Sequence, residues 1–415
     1  MKADVIVVGG GPAGMMAAGT AARGGLRVLL LEKNPRMGRK LMITGKGRCN
    51  VTNNCDVQDF LNHVPTNPRF LQSAIHRFTP QDAMTFFEEL GVPLKTERGN
   101  RVFPVSDKAV DVVDAMVKFV RESGVNVQYE APVKALSCQD GAVAGVTLES
   151  GEMLEADAVV VATGGKSYPR TGSTGDGYRL AEQVGHTILP PRPSLVPIET
   201  QEDWCQRVQG LSLKNVTLSA VDVESGKIRY SEMGEMLFTH FGVSGPLVLS
   251  LSAHLGDLTK RQYRLLIDLK PALDVQALDA RLLRDFSALQ NKDFGNSLEK
   301  LLPRKLIPVI ISMSGIPSTT KVNQITREQR RRLCELLKAV PLTVWRFRPI
   351  DEAVVTSGGV KVGEINPKTM ESKLVKGLFF AGELIDVDAY TGGYNLQIAY
   401  STGYAAGLGC QGGLS

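Results

Sequence analysis

The stretch that decides the fold is Val5-Ile6-Val7-Val8-Gly9-Gly10-Gly11-Pro12-Ala13-Gly14. Its first four residues are β-branched, which is typical of a strand buried on both faces of a sheet. The next six contain the pattern G-x-G-x-x-G at Gly9, Gly11 and Gly14. Small apolar residues continue to Arg23 and predict a helix packed on that sheet. Strand, glycine loop and helix in this order predict the start of a nucleotide-binding βαβ unit.

Each glycine of this loop has a separate physical role. Gly9 permits the tight turn, Gly11 lets the backbone approach a pyrophosphate, and Gly14 allows the helix to pack closely on the strand. The helix start, with Pro12 and Ala13, offers free N–H groups and the positive end of the helix dipole to an anion. We therefore predict that the loop binds the pyrophosphate of a dinucleotide.

The second predicted strand ends at an acidic residue suited to the nucleotide. A Gly-Gly pair at 24–25 ends the helix, residues 27–31 are predicted to be the strand, and Glu32 follows 18 residues after Gly14. Glu32 is placed to accept hydrogen bonds from ribose hydroxyls, and its charge would repel a 2′-phosphate. Lys33 is predicted to be a further cofactor contact.

Two later segments favour FAD over NAD as the bound dinucleotide. Residues 159–165 (VVVATGG) predict a buried strand ending in small residues, and 376–383 (KGLFFAGE) predict another that ends on Gly and an acid. A small-residue helix is predicted at 398–407, with its N-terminus towards the flavin pyrimidine ring. This three-part layout is typical of FAD-binding flavoproteins. Because no second G-x-G-x-x-G follows a strand, we expect NAD(P)H to act only as a transient electron donor.

Further cofactor contacts are expected at these strand ends and in the segment just before the late helix, with Val133 in addition. They are Val133, Ala162, Thr163, Gly164, Gly382, Glu383, Gly393, Tyr394, Asn395 and Leu396. Residues 171–177 resemble the T-G-D-G segment of flavoproteins related to fumarate reductase, in which it helps to seat FAD. Gly175 and Asp176 are therefore predicted cofactor contacts, while the alternative for Asp176 is the N-cap of a helix.

The segment after the second predicted strand is basic. Five cations lie within thirteen residues that contain no acid: Arg36, Arg39, Lys40, Lys46 and Arg48. Arg39, Lys40 and Arg48 are predicted to bind FAD phosphate or to stabilise reduced flavin, with ordinary surface charge as the alternative. Gly45 and Asn50 suit backbone and amide contacts close to a planar ring.

Composition limits the class of protein. The chain has 415 residues, 43% hydrophobic and 22% charged, as in globular proteins and unlike disordered, collagen-like or coiled-coil chains. Six Cys include no C-x-x-C pair, so neither a disulfide framework nor a metal site is expected. No stretch has the pattern of a signal peptide or a spanning helix, and the predicted location is cytoplasmic.

The predicted fold class is α/β, with an FAD-binding Rossmann-like domain of the glutathione-reductase type and an insertion. Residues 1–190 plus 346–415 are predicted to form the discontinuous FAD domain, and residues 191–345 the inserted domain. Pro190-Pro191-Arg192-Pro193 is expected to be a stiff exit from the first into the second.

The insert is predicted to be a β subdomain, about 191–272, that carries a small helical subdomain, about 273–340. The first shows alternating apolar positions and the second shows helical spacing. The strands are predicted at 216–223, 228–230 and 263–267, and the helices at 277–289 and 327–337.

Charge is concentrated in one part of the insert. Residues 300–348 contain eleven Lys and Arg against two Glu, a net charge of +9, whereas the whole chain carries +5. Such a segment indicates either a surface for a phosphate-rich partner or an ordinary solvated helix face.

Three segments together identify the family that the sequence resembles. They are 38–41 with 44–53 (GRKL, TGKGRCNVTN), 237–246 (LFTHFGVSGP), and pieces of 356–397 (TSGGV, EINP, TMESK, GYNLQ). Over essentially the whole chain they resemble the BaiN/RdsA (YhiN-like) family of NAD(P)/FAD-dependent oxidoreductases. Members have been linked to reduction of C=C bonds in 3-oxo bile acids, to dihydrouridine formation in ribosomal RNA and to aminoacetone oxidation. The resemblance therefore implies FAD but does not imply one substrate.

Reduction of an activated C=C bond needs a hydride at one carbon and a proton at the other, hence a general acid. The candidates are His240, Tyr394 and Cys49. His240 lies between aromatic residues and is equally suited to a structural role, and Cys49 is equally suited to be a buried inert thiol.

The leading hypothesis is an FAD-dependent reductase that takes electrons from NAD(P)H. It would pass a hydride from flavin N5 to the C=C bond of a steroid-like enone, such as a 3-oxo bile acid, or of uracil in ribosomal RNA. One alternative is an FAD-dependent oxidase of a small amine such as aminoacetone, with O2 as acceptor. Another is an RNA-binding flavoprotein in which FAD is structural. The expected partners are a small-molecule substrate or ribosomal RNA, without a membrane.

Overall fold

The computed structural model describes residues 2–413 and separates them into two units. The first unit contains the chain up to Ser194 and again from Pro349, and the inserted unit contains Leu195–Arg348. Among the described residues, no helix combines the length and the apolar character needed to cross a bilayer.

The first unit contains strands and helices from both ends of the chain. Its strands are β1 (Ala3–Val8), β2 (Val28–Glu32), β3 (Thr52–Asn53), β4 (Leu94–Glu97), β5 (Arg101–Pro104), β6 (Asn126–Tyr129), β7 (Val133–Gln139), β8 (Ala142–Leu148), β9 (Met153–Val161), β10 (Ile188–Ser194), β17 (Val355–Val360) and β18 (Leu378–Phe380). Its helices are α1 (Pro12–Arg23), α2 (Arg39–Ile43), α3 (Val57–Asn62), α4 (Pro68–Arg77), α5 (Pro80–Glu89), α6 (Ala109–Glu122), α7 (Asp176–Gln183) and α13 (Tyr394–Gly413).

The core of the first unit is a parallel sheet with the order β6-β2-β1-β9-β18. Val5, Ile6 and Val7 are completely buried, as a β-branched run between two covered faces predicts. The N-terminal end of β9 also pairs antiparallel with β8, which pairs with β7. Because β1, β9 and β18 are parallel neighbours, their carboxyl ends meet at one edge of the sheet, where α/β proteins bind ligands.

Helices α1 and α13 pack against each other through glycines. A Cβ on Gly403 would lie 2.3 Å from the carbonyl oxygen of Ala13, and one on Gly407 would lie 2.7 Å from that of Ala17. The late helix was predicted from residue 398, but it begins four residues earlier, at Tyr394. The two ends of the chain therefore meet in one helix pair beside the glycine loop.

The inserted unit contains the remaining elements. Its strands are β11 (Ile198–Thr200), β12 (Ser212–Asp222), β13 (Ile228–Phe238), β14 (Gly242–Ser244), β15 (Tyr263–Asp268) and β16 (Val340–Phe347), and its helices are α8 (Trp204–Arg207), α9 (Pro246–Ser252), α10 (Val275–Ser287), α11 (Ile307–Ser314) and α12 (Arg327–Lys338).

The six strands of the inserted unit close into an antiparallel barrel in the order β11-β14-β13-β12-β15-β16. The predicted hairpin is confirmed as β12–β13, with longer strands than the pattern indicated. In β12, Leu218 and Ala220 are completely buried, while Ser219 between them points outward and bonds to Ser231. Closure was not predicted, because β11 and β14 are only three residues long and carry little periodic signal.

The proline-rich segment predicted to be a stiff exit forms part of a strand. Residues 190–193 lie within β10, which pairs antiparallel with β17 and has a register shift between Leu189 and Arg192. Proline is tolerated here because β10 has a single neighbour in a two-stranded sheet, so the missing N–H groups are not needed for a second ladder.

Candidate functional site

The three motif glycines have different surroundings in the structure. A Cβ on Gly9 would lie 2.6 Å from the carbonyl oxygen of Ala162, and one on Gly14 would lie 1.9 Å from that of Gly9. Around Gly11, no atom of the described residues outside its chain neighbours lies within 4 Å of such a Cβ. Close backbone contacts thus exclude side chains at Gly9 and Gly14, whereas Gly11 borders open space.

The open space at Gly11 lies at the N-terminus of α1. Gly11 is the N-cap residue, Pro12 begins the helix, and no described side chain caps the first turn, which contains no acidic residue. The first N–H groups of a 12-residue helix therefore have no side-chain partner and can bind an anion. This arrangement fits the pyrophosphate of FAD.

Glu32 holds the glycine loop in place. It is 6% exposed, its Oε2 accepts a hydrogen bond from the Gly10 N–H at 2.8 Å, and its Oε1 accepts from the N–H (2.8 Å) and Nδ2 (2.6 Å) of Asn34. Ribose binding by Glu32 stays a prediction. Asn34 was not predicted from the sequence, because an amide side chain after a strand does not indicate a role until its hydrogen-bond partner is known.

The basic residues next to Glu32 are engaged in a polar network. Lys33 forms an ion pair with Asp176 at 2.5 Å, and Arg39 donates to Asn34 Oδ1 at 2.6 Å. Asp176 is the first residue of α7 and Gly175, with φ +86°, is the N-cap, so the alternative role of Asp176 as an N-cap is wrong. The network joins the carboxyl end of β2 to the 171–176 segment.

Lys40 and Glu383 form a second, less exposed network. Lys40 Nζ donates to Glu383 Oε2 at 2.6 Å and to Ser167 Oγ at 2.7 Å. Glu383 Oε1 accepts from the Thr356 N–H at 2.8 Å and from the Ser167 hydroxyl at 3.1 Å. Ser167 and Thr356 were not predicted, because their roles arise from β17 lying beside the ends of β9 and β18.

Arg48 is directed towards the β4–β5 hairpin. It pairs with Glu97 and with Asp107 (Nε to Oδ1, 2.8 Å), and its guanidinium lies 4.1 Å from the ring centroid of Phe103. These acids lie far from Arg48 in the sequence. The segment 36–48 contains no acid itself, but folding brings two acids to Arg48. Contact of Arg48 with FAD remains a prediction.

Eight buried side-chain polar atoms of the described residues have no hydrogen-bond partner, and two of them belong to predicted cofactor contacts. These two are Oδ1 of Asn50, whose N–H lies beside Gly45, and Oγ1 of Thr163, which follows the carboxyl end of β9. A buried polar atom without a partner costs free energy, so such atoms indicate a missing ligand or water. Both residues were predicted to contact FAD, and their orphaned atoms fit that group.

The N-terminal loop and the late A-G-E segment meet in space. Gly382 has φ +73°, a Cβ on it would lie 2.8 Å from the Cβ of Ala13, and its N–H donates to Thr402 Oγ1 at 2.9 Å. A Cβ on Gly393 would lie 2.3 Å from the Thr52 backbone. Residues 369 and 341 positions apart in sequence thus lie next to each other at the carboxyl edge of the sheet.

The other predicted contacts have mixed surroundings. Val133 is buried at the start of β7, and Gly164 has φ +74° after the carboxyl end of β9. The side chain of Asn395 bonds to the backbone of residues 389 and 390, which makes it an organiser of the preceding loop. Leu396 is partly buried in the first turn of α13.

The three predicted proton donors differ in burial. Cys49 is completely buried, and burial raises the pKa of its thiol to about 12. Tyr394 is 5% exposed, stacks on His63 at 4.7 Å between ring centroids, and burial raises its pKa far above the usual range. His240 lies in the inserted unit with an exposed ring, edge-on to Phe241. The sequence places His240 between Phe238 and Phe241, and among the ring contacts of the described residues His240 has one, with Phe241.

Comparison with known proteins gives the same fold and a family. The model of the HI0933-like protein Rossmann domain matches residues 3–409. The chain is 31% identical over 405 residues to the 3-dehydro-bile acid delta(4,6)-reductase of Clostridium scindens, covering 97% of both chains. It is 32% identical over 410 residues to the ribosomal RNA dihydrouridine synthase of Escherichia coli, covering 97% of this chain and 96% of that one.

A solved structure with the same fold is the 3-ketosteroid-delta4-(5alpha)-dehydrogenase from Rhodococcus jostii RHA1. It has a TM-score of 0.52 and 17% sequence identity, and the match covers 99% of this chain and 97% of that one.

Proposed function

Because the chain belongs to the HI0933-like family of Rossmann-fold, FAD-dependent oxidoreductases, we propose that it reduces a C=C bond conjugated to a carbonyl. NAD(P)H is the proposed electron source. The observation that carries the proposal is full-length similarity to two reductive enzymes, together with a glycine loop that leaves open space at the uncapped start of α1.

The two relatives share one type of reaction despite their different substrates. A delta(4,6)-reductase of a 3-oxo bile acid saturates a bond conjugated to the 3-oxo group. A dihydrouridine synthase saturates the C5–C6 bond of uracil, which is conjugated to the C4 carbonyl. In both substrates the carbon β to the carbonyl is electron-poor and accepts hydride. We therefore propose the shared reaction class for this chain and address the substrate class separately.

Bound FAD supplies the hydride that reaches the β-carbon of the substrate. The α1 N-terminus and the backbone at Gly11 would hold its pyrophosphate, and Glu32 keeps that loop in shape through the Gly10 N–H. The N-terminus of α13 directs backbone N–H groups and a positive dipole end towards its surroundings, which stabilises negative charge there.

The second half of the reaction is delivery of a proton to the carbon next to the carbonyl. Tyr394 is the proposed donor, since it lies in the first turn of α13 and, unlike Cys49, retains some exposed surface. Cys49 has no exposed surface through which a substrate could reach its thiol. His240 is exposed and stays the second candidate.

The test is anaerobic reduction of the FAD-loaded protein by NADH or NADPH, followed by re-oxidation with a 3-oxo-Δ4 steroid, a uridine-containing ribosomal RNA fragment, or oxygen. We expect rapid bleaching by one nucleotide and fast re-oxidation by one of the two conjugated substrates. Re-oxidation only by oxygen would favour an amine oxidase and contradict the proposal. Absence of bleaching by either nucleotide would contradict the assignment of the electron donor.

Tyr394→Phe separates the two half-reactions. We expect bleaching by NAD(P)H at the wild-type rate, with re-oxidation by the conjugated substrate slowed about 100-fold or more, as for loss of a general acid. His240→Gln is the matched control and should leave both rates within about twofold. If His240→Gln is slow and Tyr394→Phe is fast, the donor assignment is reversed.

A further inference from the structure

The barrel of the inserted unit exposes one of the two tryptophans in the chain. Trp345 on β16 is 56% exposed, and the guanidinium of Arg346 lies 4.3 Å from its ring centroid. The other tryptophan, Trp204, is 6% exposed and lies 5.3 Å from Phe238 in the barrel core. The indole of Trp345 therefore offers a flat aromatic surface to solvent, where it adds little to the stability of the fold.

Trp345 lines a shallow depression of about 360 Å³. Its other side is the 258–262 loop, which contributes Lys260, Arg261 and Gln262. Lys260 is exposed and lies 3.8 Å from Asp257, while Arg261 forms no ion pair with any described residue. The depression thus combines an aromatic plate with cations available to a ligand.

Three acidic residues in this part of the barrel are engaged by other protein groups, and one of them is Asp257, whose carboxylate lies 3.8 Å from Lys260 Nζ. Glu199 is buried and pairs with Arg346 and Arg348, each at 2.8 Å, and Glu202 accepts the Thr343 N–H at 2.8 Å. The inserted unit as a whole has 22 Lys and Arg against 16 Asp and Glu, a net charge of +6, whereas the whole chain carries +5. Charge complementarity therefore favours a polyanion over an apolar or cationic partner.

We propose that the surface formed by Trp345, Lys260, Arg261 and Gln262, here called the Trp345 surface, binds single-stranded RNA. A base stacks on the indole while the cations contact the flanking phosphates, the arrangement used by proteins that bind single strands. The inference rests on the proposed function and deepens it, because it assigns a surface of the inserted unit to an RNA partner.

The test titrates the full-length, FAD-loaded protein with a labelled, uridine-containing single-stranded RNA and follows anisotropy and tryptophan emission. We expect Trp345→Ala to weaken binding about tenfold, as for loss of one stacked base. Trp345→Phe keeps an aromatic plate and should bind within about threefold of wild type. Arg261→Ala should weaken binding and lower the slope of log affinity against log salt by about one.

Met233→Ala is the matched control, because Met233 is 63% exposed on β13 of the same barrel and lies outside the Trp345 surface. It should bind RNA as the wild type does. Stacking also predicts quenching of the Trp345 emission, isolated as the difference between wild type and Trp345→Phe. If RNA does not quench the Trp345 emission and another protein shields Trp345 from solvent, the inference is overturned in favour of a protein partner.

Measurements on the same protein preparations distinguish failure of this inference from failure of the proposed function. Bleaching by NAD(P)H and re-oxidation by a 3-oxo-Δ4 steroid report the reductase chemistry without any RNA. Wild-type RNA affinity in Trp345→Ala, or no RNA binding by the wild type, overturns the Trp345 surface whether or not the steroid is reduced. Loss of RNA binding in Trp345→Ala, with unchanged bleaching, supports it.

Discussion

The glycine loop at 9–14 and the basic segment at 300–348 are the two stretches whose function the sequence indicates most directly, and the structure treats them differently. In the loop, each predicted role has a local cause: a side chain would contact the backbone at Gly9 and Gly14, and would meet open space at Gly11. In the basic segment, the roles of the charges depend on acids from other parts of the chain. A geometric motif is thus interpretable from sequence, and a charge count is not.

The pairing of the basic segment is extensive. Eight of its eleven cations form ion pairs: Arg304 with Glu299, Lys321 with Asp293, Arg330 with Asp279, Arg331 with Glu335, Arg332 with Glu328, Lys338 with Asp268, and Arg346 and Arg348 with Glu199. Five of these acids lie outside the segment, so the segment and its partners carry +4 rather than +9. Most of its cations therefore stabilise the inserted unit, and the partner surface that we infer lies mainly in the 258–262 loop instead.

The largest effect of a substitution is expected within the glycine loop. Gly14→Ala places a Cβ 1.9 Å from the Gly9 carbonyl oxygen, so we expect the apoprotein to lose about 3 kcal/mol of unfolding free energy and to lose FAD binding. Urea unfolding and the flavin absorbance of the purified protein measure the two effects. A Gly14→Ala protein of wild-type stability would show that the contact at this position is not constraining.

Gly11→Ala should separate the two effects. Gly11 has φ −79°, which alanine adopts freely, and its Cβ would meet open space, so the apoprotein should unfold within about 0.5 kcal/mol of wild type. FAD affinity should nevertheless fall at least about tenfold, because the methyl group occupies the approach of the pyrophosphate. Full flavin loading of Gly11→Ala would place the pyrophosphate elsewhere.

A medium effect is expected from the paired cations of the basic segment. Arg330 makes two hydrogen bonds to Asp279 (2.6 and 3.1 Å), and its side chain is 13% exposed, so Arg330→Met should cost about 2 kcal/mol by leaving Asp279 without its partner. Arg331, whose side chain is 76% exposed, is the control, and Arg331→Gln should cost less than about 0.5 kcal/mol. Equal costs would contradict a structural role for the buried pair.

The smallest effect concerns a buried acid of the first unit, whose environment, like that of Arg330, is made by distant residues. Burial raises the pKa of Asp386, although Asn67 Nδ2 donates to its Oδ2 at 2.9 Å and acts in the opposite direction. A raised native pKa means that stability is lost as pH rises through that pKa. Asp386→Asn should therefore be slightly more stable than wild type at pH 8, by under about 1 kcal/mol, and equal to it near pH 4. Thermal unfolding between pH 4 and 8 measures this, and a variant that is less stable at pH 8 would contradict it.

The elements around the glycine loop were predictable because their signals are local. β1, α1 and β2 lie within a few residues of their predicted positions, since β-branched runs and glycine pairs mark them directly. The start of α13 was missed by four residues, because Gly392 and Gly393 resemble a loop until the contact of Gly393 with Thr52 is known. The roles of Asn34, Ser167 and Thr356 had no local signal at all.

By itself, the sequence determined that an α/β nucleotide fold begins with a strand at residues 5–8 and favoured FAD as its dinucleotide, because backbone conformation and strand burial are encoded by neighbouring residues. Only the tertiary structure decided that Arg48 faces Glu97 and Asp107, that six strands close into a barrel, and that Trp345 is exposed beside Arg261. The physical reason is that the pairing of a charge, the closure of a sheet and the exposure of an aromatic ring all depend on which distant residue comes within a few ångströms.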